Sequence, residues 1–287
     1  MNKGNAALLS IVSNTLLIVF KLIAGLLIGS ISVLSEAIHS SMDLLASIIA
    51  YFSIKKASKD EDEEHPFGHG KFENVSGLIE AILILFAGGI IIFEAIKRII
   101  AGGNIENVGP GLFVMFVSAA VNLVISMRLL KISKETHSIA LETDAMHLLT
   151  DVYTALGVFI GLLLVQITGL NILDPVFAIL VAGLIIKTAI ELIRKSMKDL
   201  VDSSLCSDDL NQIKIIMQSH EEIQGYHKLR TRESGEKKEI DIHINIEGDY
   251  SLIEVHDICN SVESDIQSVF PGAYVLIHAE PVIKQYN

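Results

Sequence analysis

Residues 35–43 read Ser35-Glu-Ala-Ile-His-Ser-Ser-Met-Asp43, and they lie inside an apolar run of about 32–54. A second stretch, Thr143-Asp-Ala-Met-His-Leu-Leu-Thr-Asp151, sits inside another run of about 139–166. Both follow the order hydroxyl, acid, alanine, apolar residue, histidine, three residues, aspartate. A helix that spans a bilayer needs about 20 predominantly apolar residues. Four further segments reach that length, about 6–28, 75–98, 110–131 and 173–195. The expected fold is therefore a membrane all-α bundle of six transmembrane helices. Each copy of the nine-residue pattern falls in the second helix of a three-helix group. Three is odd, so the two groups cross the bilayer in opposite senses, the arrangement of inverted repeats. Short turns at Gly29–Ser30 and Thr168–Asn171 make hairpins of the first two and last two helices.

Composition changes sharply after residue 200. Of the 287 residues 51% are hydrophobic, yet the chain carries a formal charge of −12. Residues 203–287 hold 15 Asp/Glu against 7 Lys/Arg. We read residues 1–200 as a transmembrane domain and 203–287 as an acidic soluble domain. The acidic surface argues against nucleic acid as a partner. The two cysteines, Cys206 and Cys259, form no CxxC pattern and fit a reducing compartment. The first apolar run is too long for the h-region of a cleaved signal and is expected to remain as a helix.

Lys3, Lys55, Lys56, Lys59, Lys71, Arg128, Lys131, Lys134, Arg194, Lys195 and Lys198 gather on one side of the bundle, against Lys97 and Arg98 on the other. The rich side is predicted to be cytoplasmic. Both termini, the 55–74 loop and the soluble domain then share the cytoplasm of a cell whose inner or plasma membrane holds the bundle. The soluble domain reads as helix (208–219), strand (226–234), strand (237–247), helix (251–269) and strand (273–281), with a turn at Ser234-Gly235-Glu236. Glu239 to Glu247 alternates polar and apolar, as a half-buried strand does. Helices on one face of such a sheet give a small αββαβ domain of the α+β class.

His39 and Asp43 are four residues apart, as are His147 and Asp151, so each pair shares a helix face about 6 Å along the axis. Two such helices offer two imidazoles and two carboxylates, a complete tetrahedral set for Zn²⁺. The plainer reading is a set of buried polar residues bonded to neighbouring helices. Four ionisable groups at mid-helix favour function, because their burial is costly. Glu36 and Asp144, three residues before each histidine, are either acceptors for the imidazole N–H or helix-packing partners. Asp62, His65 and His69 lie in a loop with Gly68 and Gly70, either as a metal site or as a freely titrating polar loop. In the soluble domain His227, His243, His256, His278 and Glu280 are either a metal cluster or surface groups. Lys21, Glu80, Glu94, Lys187 and Glu191 are expected near helix ends or snorkelling. Asp174-Pro175 reads as a helix cap and first turn. His137 and His220 have no partner pattern.

These motifs, with His65-Pro-Phe-Gly-His-Gly-Lys-Phe-Glu73 and Leu229-Arg-Thr-Arg-Glu-Ser-Gly235, make the chain resemble the cation diffusion facilitators over nearly its whole length. The resemblance implies a homodimer with a metallochaperone-like cytoplasmic domain, exporting Zn²⁺ or a related ion (Fe²⁺, Mn²⁺ or Cd²⁺) in exchange for protons. It assigns His39, Asp43, His147 and Asp151 to the transport site, and Asp62, His65 and His69 to a loop site. His227, His243, His256, His278 and Glu280 then form a binuclear regulatory site. Lys71 and Asp202 resemble a charge interlock between the dimer's membrane halves. Some bacterial members carry Asp where this chain has His39, and some relatives carry Asp at the position of Glu280. An enzyme is disfavoured: no His-Glu-x-x-His occurs, and a catalytic zinc keeps an open position. A non-transporting metal sensor is the remaining alternative.

Overall fold

Long apolar stretches without helix breakers satisfy every backbone group internally only as helices, so the first 200 residues form six of them. The structure is a computed structural model that describes residues 2–28, 31–101, 109–170, 172–235 and 237–282. The helices are α1 (Lys3–Ile28), α2 (Ile31–Ala57), α3 (Lys71–Ala101), α4 (Gly109–Thr136), α5 (Ile139–Thr168) and α6 (Leu173–Leu200). Most run past their apolar segments, because a helix started in lipid continues through polar turns such as Lys55–Ala57 once outside it. Five of them, α1 and α3 to α6, are long and apolar enough to cross a membrane. The sixth, α2, spans 27 residues but is diluted by Ser35, Glu36, His39, Ser40, Ser41 and Asp43. The Gly29–Ser30 turn lies outside the described residues, as do Asn171 and Glu236 of the other two predicted turns.

The chain forms two compact units, residues 1–60 with 71–197 and residues 61–70 with 198–287. In the first, Ala6, Ala7, Ala50, Ala140 and Ala145 are almost wholly buried beside Ile54, Leu129, Leu141 and Leu148. Small residues let backbones approach where lipid removes the hydrophobic drive to associate. A second cluster joins Ala81 and Ile84 of α3 to Ile185, Ala189 and Leu192 of α6. Leu26, Phe52, Phe93, Phe116, Phe159 and Leu184, one from each helix, are exposed. A surface this apolar belongs in lipid. Ser138 caps α5 by accepting from the Leu141 N–H, and Gly169 closes it at φ 73°. Asp174 lies inside the first turn of α6 rather than capping it, and takes Arg98 at 3.3 Å.

The second unit contains α7 (Ser207–Ser219), β1 (Ile223–Ser234), β2 (Lys237–Glu247), α8 (Leu252–Val269) and β3 (Tyr274–Val282). β2 is central, antiparallel to β1 and parallel to β3. Its alternation buries Ile240, Ile242, Ile244 and Ile246 against Ile213, Met217, Val262 and Ile266 of the helices. Each such side chain contributes about 1.5–3 kcal/mol on leaving water, so this unit has a core of its own. A capping box between Ser251 and Glu254 starts α8.

Candidate metal sites

The side chains of Asp43 on α2 and His147 on α5 meet across the contact between these helices. His147 Nε2 stands 2.9 Å from Asp43 Oδ1, with side-chain exposures of 12% and 5%. His147 Nδ1 is buried without a hydrogen-bond partner among the described residues. Asp151, one turn further along α5, accepts from Asn122 Nδ2 on α4 at 3.1 Å. The side chains of His39 and Glu36 lie outside the described residues. Asp144 does not bond the imidazole. Its Oδ1 accepts from Ser47 at 2.8 Å, and Ser47 in turn bonds Ser10 and Asn14 of α1. Of the two readings offered by its position, the helix-packing one matches this geometry.

In the second unit the register performs an alignment. His227 of β1 pairs with His243 of β2, and His243 pairs with His278 of β3, so three imidazoles stand in one row across the sheet. Adjacent ring centroids are 5.2 and 4.5 Å apart. Glu280, two residues beyond His278, accepts from His243 Nδ1 at 2.8 Å and lies 3.3 Å from His227 Nε2. His227, His243 and Glu280 offer ligand atoms all within 4.8 Å of one another, whereas His278 Nε2 is 3.8 Å from Glu280. His256 on α8 lies outside this group and bonds Asn260 at 3.2 Å. The bond from His243 chiefly holds the Glu280 carboxyl below the ordinary glutamate range, with the charges of His227, His243 and Lys228 adding to it and burial opposing.

Asp62, His65 and His69 form an equivalent group in the loop, again within 4.8 Å. Asp62 receives the backbone N–H of His65 at 2.7 Å, the main cause of its lowered carboxyl pKa. The loop is tied to the β1–β2 hairpin. Glu61 pairs with Lys237, and the Arg232 guanidinium lies 4.8 Å over the Phe67 ring. A Cβ on Gly70 would overlap the Ser234 carbonyl, so only glycine allows this approach. Both groups offer two nitrogens and one carboxylate oxygen, a donor set that fits a borderline divalent ion such as Zn²⁺.

Residues 7–201 match the family model described as the cation efflux transmembrane domain, and residues 205–282 match that of the cation efflux protein cytoplasmic domain. The chain belongs to the cation diffusion facilitator family. It is a multi-pass membrane cation efflux transporter, not an enzyme. Among its relatives, the cation-efflux pump FieF of Shewanella oneidensis is 32% identical over 95% of this chain and 92% of that protein. An uncharacterized transporter of Synechocystis sp. is also 32% identical, over 91% of this chain and 85% of its own length. The solved structure of a putative zinc transporter, CzrB, covers 28% of this facilitator at 27% identity with a TM-score of 0.27 and is itself covered entirely.

Two expectations for this facilitator need correcting. Lys21 neither ends a helix nor snorkels. It is 4% exposed and donates to Ser40 Oγ at 2.7 Å, because a cation facing another helix is better bonded than dragged to the interface. Glu80 is likewise mid-helix and wholly buried. Glu94, Lys187 and Glu191 are exposed, the last two forming an i,i+4 pair at 3.9 Å. His220, for which the sequence offered no partner pattern, pairs with Asp265 at 3.0 Å. The reading of the residues also passed over Asn122 and over Glu73, which takes Lys3 at 2.9 Å together with the Ser138 hydroxyl. The available signal was a polar stripe at four-residue spacing, Ser118, Asn122 and Ser126, all buried within the otherwise apolar α4.

Proposed function

We propose that the chain exports Zn²⁺ from the cytoplasm in exchange for protons, as a homodimer in the plasma or inner membrane with both termini cytoplasmic. His39, Asp43, His147 and Asp151 take the ion. The contact between Asp43 and His147 carries this reading. A hydrogen bond at 2.9 Å between a carboxylate and an imidazole nitrogen keeps a proton where a metal would sit. Imidazole and carboxylate must give up protons to ligate, so metal entry and proton departure are linked. Two nitrogens and two oxygens suit Zn²⁺ better than harder ions such as Mn²⁺, with Fe²⁺ and Cd²⁺ as competing cargoes.

The row His227–His243–His278 with Glu280 supports a regulatory site, which His256 of the same or a partner subunit would complete. Tyr274 and Leu276 are exposed on the same face of β3, and this apolar strip beside the row supports closure against a second copy. Asp62, His65 and His69 form the loop site. Lys71 and Asp202 stay a proposed interlock of the dimer; Asp202 is already held by Arg232 at 3.4 Å within its own unit. The test is a set of proteoliposomes with a Zn²⁺ dye and a pH dye inside. An inward Zn²⁺ flux matched by outward protons is expected, and competition by each other divalent ion ranks the cargoes. Zn²⁺ movement without proton movement overturns the exchange, and no metal movement leaves the sensor alternative.

A further inference from the structure

The polar groups that the transport site leaves unused converge between α3, α5 and α6. Glu80 is wholly buried, and among the described residues both of its carboxyl oxygens lack a hydrogen-bond partner. Asp144, 1% exposed, has an Oδ2 in the same condition, as is the hydroxyl of the wholly buried Ser196 on α6. Gly77, one turn before Glu80, shows how the helices meet: a Cβ there would stand 3.1 Å from both Thr143 Oγ1 and Ser196 Oγ. Asp144 follows Thr143 directly. It is the charged neighbour of Glu80, and it interacts in turn with His147 and Asp43. From α6 the surroundings are Ser196 and the apolar Ile185, Ala189 and Leu192.

We propose that Glu80 is a proton-carrying site separate from the metal ligands, sharing a proton with Asp144 across the α3–α5 contact; this rests on the exchange reading above. A buried carboxylate with no donor is strongly disfavoured, and two adjacent ones cannot both stay ionised. One proton resolves both problems, because a protonated carboxyl donates an O–H to its neighbour. A divalent ion is the poorer occupant. The described groups of three or more metal-type ligands are the loop and the strand clusters, and Glu80 with Asp144 supplies only two carboxyls. Positive charge arriving at Asp43 and His147 stabilises the ionised pair, since Asp144 is one turn from His147. The O–H bond of the Glu80 carboxyl then breaks, its electron pair stays on oxygen, and the proton passes to water on the side the site faces.

The test uses the full-length protein with Zn²⁺ as the probe. Infrared difference spectra at neutral pH should show a protonated-carboxyl band that disappears on Zn²⁺ binding and is absent from Glu80→Gln. Calorimetry in buffers of different ionisation heat should show about one fewer proton released per ion in Glu80→Gln. Glu80→Asp should restore both. A variant that retains the band and the wild-type proton count overturns the proposal, as does loss of a bound zinc ion, which would make the pair a metal site. Should Glu80→Gln not fold, the wild-type band decides: no protonated carboxyl, or one insensitive to Zn²⁺, overturns it. If wild type moves no protons during flux, the exchange reading falls, while the band still reports on Glu80 by itself.

Discussion

The helix site and the sheet site draw on the same side chains and differ in their solvent. Asp43 and His147 are 5% and 12% exposed, whereas His227 and Glu280 keep 39% and 35%. Removing one partner of a buried ion pair costs about 3–5 kcal/mol because the other is stranded. An exposed pair is worth about 0–1 kcal/mol. In the dry site, therefore, emptying the contact is costly, which is the condition the proposed exchange of a proton for a metal ion requires. In the wet site water and salt screen the imidazoles and take up the protons they release, so a metal can come or go at small electrostatic cost and adjust stability. The first suits cargo and the second suits a resident regulator.

The largest expected effect breaks the comparison at its centre. Asp43→Ala should reduce Zn²⁺ flux in proteoliposomes to background, while His243→Ala combined with His278→Ala should leave flux measurable and shift only its dependence on metal concentration. Equal losses in the two variants would show that both sites lie on the transport path. Asn122→Ala sharpens the same contrast from within the dry site. It removes the donor to Asp151 without touching a proposed ligand, and such supporting groups typically govern 10–100-fold in metal affinity. A binding isotherm within about threefold of wild type would make Asn122 a packing residue.

A smaller effect is expected in the wet site, measured on residues 203–287, whose helices and sheet enclose their own core. A metal held at 100 times its dissociation constant adds about 2.7 kcal/mol to the folded state. The melting temperature should rise and saturate with Zn²⁺, and Glu280→Gln should lose most of the rise. A linear, unsaturating response would indicate loose surface binding.

How much of this was legible in the sequence follows from which distances are local. The i,i+4 spacings, the six apolar runs and the alternation of Glu239–Glu247 each depend on neighbours along the chain, and the helices and β2 appear where those patterns place them. The triple histidine row depends on a register shift between His227 and Arg230, with Lys228 at φ 49°, which no pattern of residue types announces. Glu80 was misread for a similar reason. Its place ten residues into α3 is plain, but whether that face meets lipid or α5 is decided by how the bundle closes. Asp144 had two readings at the level of spacing, and only the positions of Ser10, Asn14 and Ser47 on other helices separate them.

The smallest effect compares the two water-facing triads with each other through pH. Both Glu280 and Asp62 are held below their ordinary carboxyl ranges, but by different donors. For Glu280 the main donor is the His243 side chain, while for Asp62 it is the backbone N–H of His65. A depressed carboxyl favours the folded state above its unfolded pKa, near 4.3 for Glu and 3.9 for Asp. That contribution fades as pH falls through the folded value. The acid limb of the melting curve of residues 203–287 should therefore be shallower in Glu280→Gln, and also in His243→Ala, which takes the donor away. His65→Ala should act otherwise on Asp62, because the substitution keeps the amide that does most of the work. Carboxyl titrations followed by carbon NMR separate the cases. Glu280 should return toward its ordinary range in His243→Ala, while Asp62 in the full-length protein stays depressed in His65→Ala. If Asp62 rises as far as Glu280, the loop carboxylate depends on its imidazole and the two triads are electrostatically alike.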